Sequence, residues 1–304
     1  ALNSVVKQTY ENFECIILDN CSSDDTSVIA KEFSSKDSRF RCVRNKTLLP
    51  VMQNHNAVVA LMSETAAYCQ ILQADDALEP DCLRSKVALA ERFPEVGIVA
   101  SYSLWGDKRF PEADVPFSSE CLPGKDAAGR VLRGDFYPFL SPSGILLRAD
   151  LVRRRGKIYN ESALHGDVQA SYEMLEEADF GFVHETLVHV GRSAQSVTSR
   201  ENAPLNRNLA ANLELLVAYG PRFLAKEALE SSVKSRLAHY YPTLSRAALE
   251  GRSSEFWSFH RVALKNAGYP LRRSLLAQAV VRRCWQKPRG SARLVVQRFR
   301  RSSA

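Results

Sequence analysis

Several signatures that assign a function at a glance are missing from this 304-residue chain. It has no GxGxxG and no GxxxxGK[ST], which argues against dinucleotide and P-loop chemistry. Its seven cysteines are odd in number and scattered, without CxxC or Cys/His spacing, so neither a zinc site nor a disulfide framework is expected. A reducing, cytosolic compartment is the simplest fit. No uninterrupted apolar stretch reaches membrane-spanning length. The start carries no signal-peptide pattern and no initiating Met, and opens directly on a helical pattern. Acid is absent from Pro270 onward, where ten Lys or Arg accumulate; the chain's net +7 therefore leaves residues 1–269 at a formal −3. That basic tail lacks any zinc-finger or RNA-binding signature, so nucleic acid is not an expected partner.

What is present is an ordinary globular composition, 45% hydrophobic and 25% charged, in a chain long enough for one large domain or two. The organising stretch is Tyr68 to Asp81. Its first half is a short apolar run of the kind that forms a buried strand. Its second half starts a helix, with Pro80 suited to the first helical position. Between them stand Asp75 and Asp76. In an open α/β sheet ligands bind at the carboxyl ends of strands, and paired hard oxygen donors there fit a divalent cation that also holds a substrate's phosphates. The bland alternative is a solvated turn before a helix.

Around that stretch, strand and helix alternate. Leu2, Val5 and Val6 have helical spacing, and Phe13 to Leu18 reads as a strand ending at Asp19-Asn-Cys-Ser-Ser-Asp-Asp-Thr26. A helix with Ile29 and Phe33 inward follows, then a strand from Phe40 to Val43 and a helix through Leu61. Leu83, Val87 and Ala90 give the helix after Pro80 its apolar stripe, and Val96 to Ser101 returns as a strand. Residues 105–135 lose periodicity and read as a long loop. Ser141 to Arg148 is a strand candidate, a helix begins near His165, and Phe180–Val183 and Leu187–Val190 are short strands. This alternation argues for a doubly wound, mostly parallel α/β sheet flanked by helices. Beyond about residue 200 only helical stripes remain, which places a boundary near Ser199.

Read together, residues 1–199 resemble the family-2 glycosyltransferases, nucleotide-sugar-dependent enzymes with a GT-A fold. The resemblance lies in an ordered series: the Gln8-Thr-Tyr10 segment and strand, the Asp19 to Thr26 turn, Asn45, Asn54 and Asn56, the Ala74-Asp75-Asp76 to Asp81 segment, Pro142-Ser-Gly, and Gly166-Asp167. It implies a catalytic domain over 1–199 and a helical C-terminal region over 200–304. The chain departs from the family at Gln73, where the first Asp of an Asp-x-Asp motif is common, and at Asn20-Cys21, where Asp-Gly is usual. The family's first strand, with its Pro-x-Tyr-Asn turn, has no counterpart, so an N-terminally truncated member is the expectation.

The resemblance implies roles. Asp76 is the expected ligand of Mg²⁺ or Mn²⁺, with Asp75 reaching the metal or the ribose. Asp19 and Asn20 hold the base of a UDP-linked donor, and Asp167 is the base that deprotonates an acceptor hydroxyl in an inverting transfer. The acceptor is a saccharide or a lipid-linked sugar in surface polysaccharide or glycolipid assembly. The basic tail, with Leu271, Leu275 and Ala279 as an apolar stripe, suits peripheral contact with the inner face of a membrane. The competing reading, favoured by Gln73, is a catalytically inactive relative that binds a nucleotide-sugar or a protein partner.

Overall fold

The computed structural model describes residues 1–111, 120–139, 141–163, 165–191 and 203–286. The chain divides into two compact units, Ala1–Ser196 and Val197–Ala304; the boundary expected near Ser199 and the tail beyond Gln286 lie outside the described residues.

The first unit runs α1 (Leu2–Val6), β1 (Cys15–Asp19), α2 (Thr26–Lys36), β2 (Phe40–Arg44), α3 (Val51–Val59), β3 (Tyr68–Cys69), β4 (Ala77–Leu78), α4 (Cys82–Arg92), β5 (Val96–Trp105), β6 (Lys108–Phe110), β7 (Cys121–Leu122) and α5 (Gly124–Arg133). A 3₁₀ turn (Pro142–Gly144), β8 (Ile145–Arg148), α6 (Ala149–Arg155), α7 (Gly166–Leu175) and β9 (Asp179–Val190) complete it. β1 and β2 pair in parallel as a two-stranded sheet. The remaining strands form a mixed sheet in the order β3-β8-β5-β9-β4, with β6 paired to β5 and β7 to β9. Its longest ladder, β5 with β9, is parallel, while the short pairings of β8 with β3 and β5 and of β4 with β9 are antiparallel.

The strand buried on both faces is β5, whose residues Val96 to Ser103 are all buried. α4 packs on β5 and β9, α5 on β9 and α7 on β5. Leu89, Val99, Leu146, Val183 and Val188 share one core cluster. At about 25 cal/mol per Å² of apolar surface removed from water, such a core dominates the favourable side of folding.

Four local expectations change. Residues 124–133, read as loop, form α5, with Ala127, Ala128, Val131 and Leu132 buried. A Cβ on Gly124 would collide with the carbonyl oxygens of Leu175 and Ala178, so glycine lets α5 begin against the end of α7. The two short strands after 179 are one, because irregularities in the register with β5 absorb the polar step His184-Glu185. In α2 the buried residue is Ala30, and Ile29 is 48% exposed. Pro80 precedes the helix rather than opening it: α4 starts at Cys82 with Asp81 as N-cap.

The second unit is helical: α8 (Ala203–Leu205), α9 (Arg207–Phe223), α10 (Lys226–Glu250), α11 (Ser254–Asn266) and α12 (Arg273–Gln286). α10 packs on α9 and α12, and α11 on α8 and α9. Its centre is a buried polar relay in which the Tyr240 hydroxyl donates to His260 Nδ1 at 2.7 Å and His260 Nε2 donates to the Leu205 carbonyl at 2.8 Å. That arrangement needs a neutral ring. Burial brings the His260 pKa down to about 4, against the opposing pull of the Leu205 carbonyl. No helix among the described residues is long and apolar enough to cross a membrane. On α12, Val281 is 56% and Trp285 85% exposed, and Arg273 and Arg282 are exposed beside them.

Candidate functional site

The loop between β3 and β4 is built from both ends. On one side the Gln8-Thr9 pair clasps the start of α4. Gln8 Nε2 donates to the Glu79 carbonyl at 2.7 Å, its Oε1 accepts from the Leu83 N–H at 3.0 Å, and the Thr9 hydroxyl donates to Asp81. On the other side the adjacent carboxylates part company. Asp76 is 1% exposed. Its Oδ2 accepts from the Ser141 hydroxyl at 2.8 Å and its Oδ1 from the Gly191 N–H at 2.8 Å. Gly191 passes so close that a Cβ there would collide with the Asp75 carbonyl. Asp75 is exposed, and among the described residues its carboxylate has no side-chain hydrogen bond or ion pair. The sequence places two carboxylates side by side; the structure buries and bonds Asp76 and leaves Asp75 open.

Asp19 and Asn20, at the end of β1, are also committed. Asp19 is 3% exposed. It accepts from the Ser22 N–H at 2.9 Å and from the Ser27 hydroxyl, and pairs with Arg44 at 2.9 Å. Burial alone would raise its carboxyl, but these hydrogen bonds and the Arg44 charge hold it below the ordinary carboxylate value. Asn20 closes a peptide-like pair with Leu49: Nδ2 donates to its carbonyl at 2.8 Å and Oδ1 accepts from its N–H at 2.9 Å. Asn45 donates both to Asn20 Oδ1 and to Asn54 Oδ1, at 2.9 and 2.8 Å. The asparagines thus fix the loop before α3. Cys21 stands between the two residues and Ser22 with φ +63°, a left-handed conformation that suits glycine.

Asp167 lies in the first turn of α7, half-buried. Its carboxylate, like that of Asp75, has no hydrogen bond or ion pair among the described residues. Three rings feel its charge. His55 is lowered by burial, which the Asp167 charge only partly offsets. Buried Tyr159 is raised first by burial and then by that charge. Tyr137, 38% exposed as a whole residue, is raised for the same reasons. His55 and Tyr159 meet edge-on with ring centroids 5.8 Å apart, and His55 Nδ1 is buried without a partner. Tyr159 is held in place by Asn56, whose amide donates to its carbonyl at 2.8 Å and accepts from its N–H at 2.9 Å.

Tyr137 lies near the Asp167 charge, and the Ser141 hydroxyl donates to Asp76. Sequence reasoning gave His55, Ser141 and Gly191 no role. It also passed over Lys86, which lies one turn after Cys82 and one turn before Ala90 on the buried side of α4.

Fold and site together define a mixed α/β protein with two uncommitted carboxylates, one on the β3–β4 loop and one in the first turn of α7. The model of "Glycosyl transferase family 2" matches residues 1–156, and the chain belongs to that family. "Putative glycosyltransferase EpsE" of Bacillus subtilis is 31% identical over 111 residues, 36% of this chain and 38% of its own length. An "Uncharacterized glycosyltransferase" of Haemophilus influenzae is 28% identical over 102 residues, 34% of this chain and 31% of its own. The matched stretch thus spans less than two fifths of either relative. Among solved structures, S. aureus TarS 1–349 in complex with UDP has a TM-score of 0.54 at 15% identity, covering 79% of this chain and 66% of that one. The mannosyltransferase PcManGT of Pyrobaculum calidifontis, in complex with GDP-Man and Mn²⁺, has a TM-score of 0.54 at 13% identity, covering 94% and 83%. These likenesses show a GT-A-like fold.

Proposed function

We propose that the chain is a metal-dependent, inverting glycosyltransferase that moves a sugar from a UDP-linked donor to a hydroxyl acceptor. One observation carries the reading: in a family-2 chain, Asp75 is an exposed, uncommitted carboxylate on a loop that buried hydrogen bonds hold still. Structures of similar fold include one in complex with UDP and one with GDP-Man and Mn²⁺.

Mg²⁺ or Mn²⁺ fits the donor set. Such ions take one or two carboxylates plus the substrate's phosphates, and the described residues offer no group of three or more His, Cys, Asp or Glu as an all-protein cage. When bound, the ion supplies Lewis-acid stabilisation of the leaving diphosphate. Asp75 is the ligand on this reading. Asp76, expected to bind the metal first, instead anchors the loop. Gln73 offers an amide where a second carboxylate is usual, so the metal rests on Asp75 and the phosphates. The base lies against the Asp19–Cys21 turn, where Asn20 keeps one amide N–H for a base carbonyl and Asp19 holds the turn. Asp167 accepts the proton of the acceptor hydroxyl as its oxygen attacks the anomeric carbon, and one such displacement inverts the configuration.

The acceptor is a saccharide or lipid-linked hydroxyl in surface polysaccharide or glycolipid assembly, reached from the inner face of a membrane. The exposed apolar and basic side of α12 supports that placement. The test is a panel of UDP- and GDP-sugars with and without Mn²⁺, reading free nucleotide. Release from one donor, dependent on metal and lost in Asp75→Ala, is expected. Binding of the nucleotide with no turnover would instead identify an inactive, nucleotide-sugar-binding relative.

A further inference from the structure

We propose that Lys86 is a positioning residue for the loop that presents Asp75, acting through the Ser141–Gly144 turn. The inference rests on the metal reading of Asp75 above. Lys86 is 0% exposed, and no carboxylate lies within ion-pair distance of it among the described residues. Its ammonium donates to the Gly144 carbonyl at 2.8 Å. Burial lowers its pKa, and the Cys82 thiol one turn earlier opposes that shift. A buried cation without an anion works against folding, and a methionine would fill the same space without the desolvation cost. The lysine is therefore poorly explained as core filler and well explained by what it holds.

What it holds is a three-residue 3₁₀ turn, too short to fix its own position. Gln70 Nε2 donates to the Ser143 carbonyl at 2.7 Å, next to the Lys86 contact, so α4 and the end of β3 grip the turn by consecutive carbonyls. The opposite side of the turn grips the loop. The Ser143 hydroxyl accepts from the Gln73 N–H at 2.9 Å, and the Ser141 hydroxyl donates to Asp76 at 2.8 Å. Ser141, Ser143 and Asp76 are all at most 5% exposed. Gln73 and Asp76 bracket Asp75. The route from Lys86 through the turn to Asp76 thus passes through buried hydrogen bonds of 2.8 Å at both ends.

The experiment measures UDP binding by calorimetry while Mn²⁺ is titrated, for the parent, Lys86→Met, Ser141→Ala and the double variant, with Ser143→Ala as a milder probe. Groups that orient a metal's ligands typically change metal affinity by about tenfold to a hundredfold. Each single variant should raise half-saturating Mn²⁺ by about tenfold or more. UDP affinity without metal should be unchanged, and the double variant should be little worse than the weaker single one, since both cut one chain of contacts. A change in melting temperature with parental Mn²⁺ half-saturation would mark Lys86 as merely structural and overturn the proposal. Effects that multiply in the double variant would overturn it as well. If Lys86→Met does not fold, parental Mn²⁺ dependence in both serine variants is the refuting result. A parent that binds UDP equally with and without Mn²⁺ removes the metal role of Asp75, and this inference with it.

Discussion

Replacing each of the two neighbouring aspartates with alanine should give opposite results. Asp76→Ala deletes a buried acceptor and strands two donors, the Ser141 hydroxyl and the Gly191 N–H, each now at 2.8 Å from it. Hydrogen bonds to a charged group are worth about 1.5–3 kcal/mol each, and buried orphaned donors cost on a similar scale. The variant should therefore lose roughly 3–5 kcal/mol. At about 2–4 °C per kcal/mol for a unit of this size, the melt should fall by roughly 6–20 °C. Asp75 is exposed and its carboxylate has no hydrogen bond or ion pair among the described residues, so Asp75→Ala should stay within about 0.5 kcal/mol of the parent.

Ligand response should run the other way. Asp75→Ala should melt like the parent but gain nothing from Mn²⁺ beyond what UDP alone gives. Parental protein at a hundredfold excess of ligand over its Kd should gain about 2.7 kcal/mol. Scanning fluorimetry with and without UDP and Mn²⁺ reads both effects in one plate. An Asp76→Ala variant that melts like the parent, or an Asp75→Ala variant that keeps the full metal-dependent gain, would refute the assignment of anchor and ligand.

Asp167→Asn preserves shape but cannot take a proton, so transfer should drop by about a hundredfold to ten-thousandfold with donor affinity intact; near-parental turnover would move the base elsewhere. Cys21→Gly should stabilise the first unit by about 0.5–1 kcal/mol, the left-handed strain at φ +63° being larger than the entropy glycine adds to the unfolded chain; an unchanged urea midpoint would count against it. His260 is neutral when folded and has a pKa of about 4, against 6.5 when unfolded, so only the unfolded chain takes up a proton between those values. The helical unit should accordingly lose up to about 1.4 kcal/mol per pH unit as pH falls through that window and be flat above it, with the slope gone in His260→Gln. Removing residues 270–304 should abolish salt-sensitive co-sedimentation with anionic vesicles, since each Lys or Arg near such a surface contributes roughly 1 kcal/mol; a parent that fails to sediment at low salt would end the membrane placement.

What the sequence could reveal follows how local each determinant is. The run Phe13 to Leu18 and the stripes of α9 and α10 declare themselves because their periodicity lies within a few residues. α5 hides because its buried pairs Ala127-Ala128 and Val131-Leu132 are small or sparse beneath Lys125, Asp126, Arg130 and Arg133, and because its packing depends on Gly124 passing the distant Leu175 carbonyl. The aspartate pair is legible as a motif, but its division of labour is not. Adjacent residues on a loop face different ways, and which of them turns inward is set by Ser141 and Gly191, 65 and 115 residues away. The same logic applies to Asn20, whose amide looks wholly open to a base until Leu49, 29 residues on, takes its oxygen and one of its two N–H groups. Asp167 remains open because no such distant partner reaches it. The ordered series of motifs can thus single out candidate carboxylates. Only long-range hydrogen bonding shows which are already used, and a carboxylate that must bind a metal or accept a proton has to be one that is not.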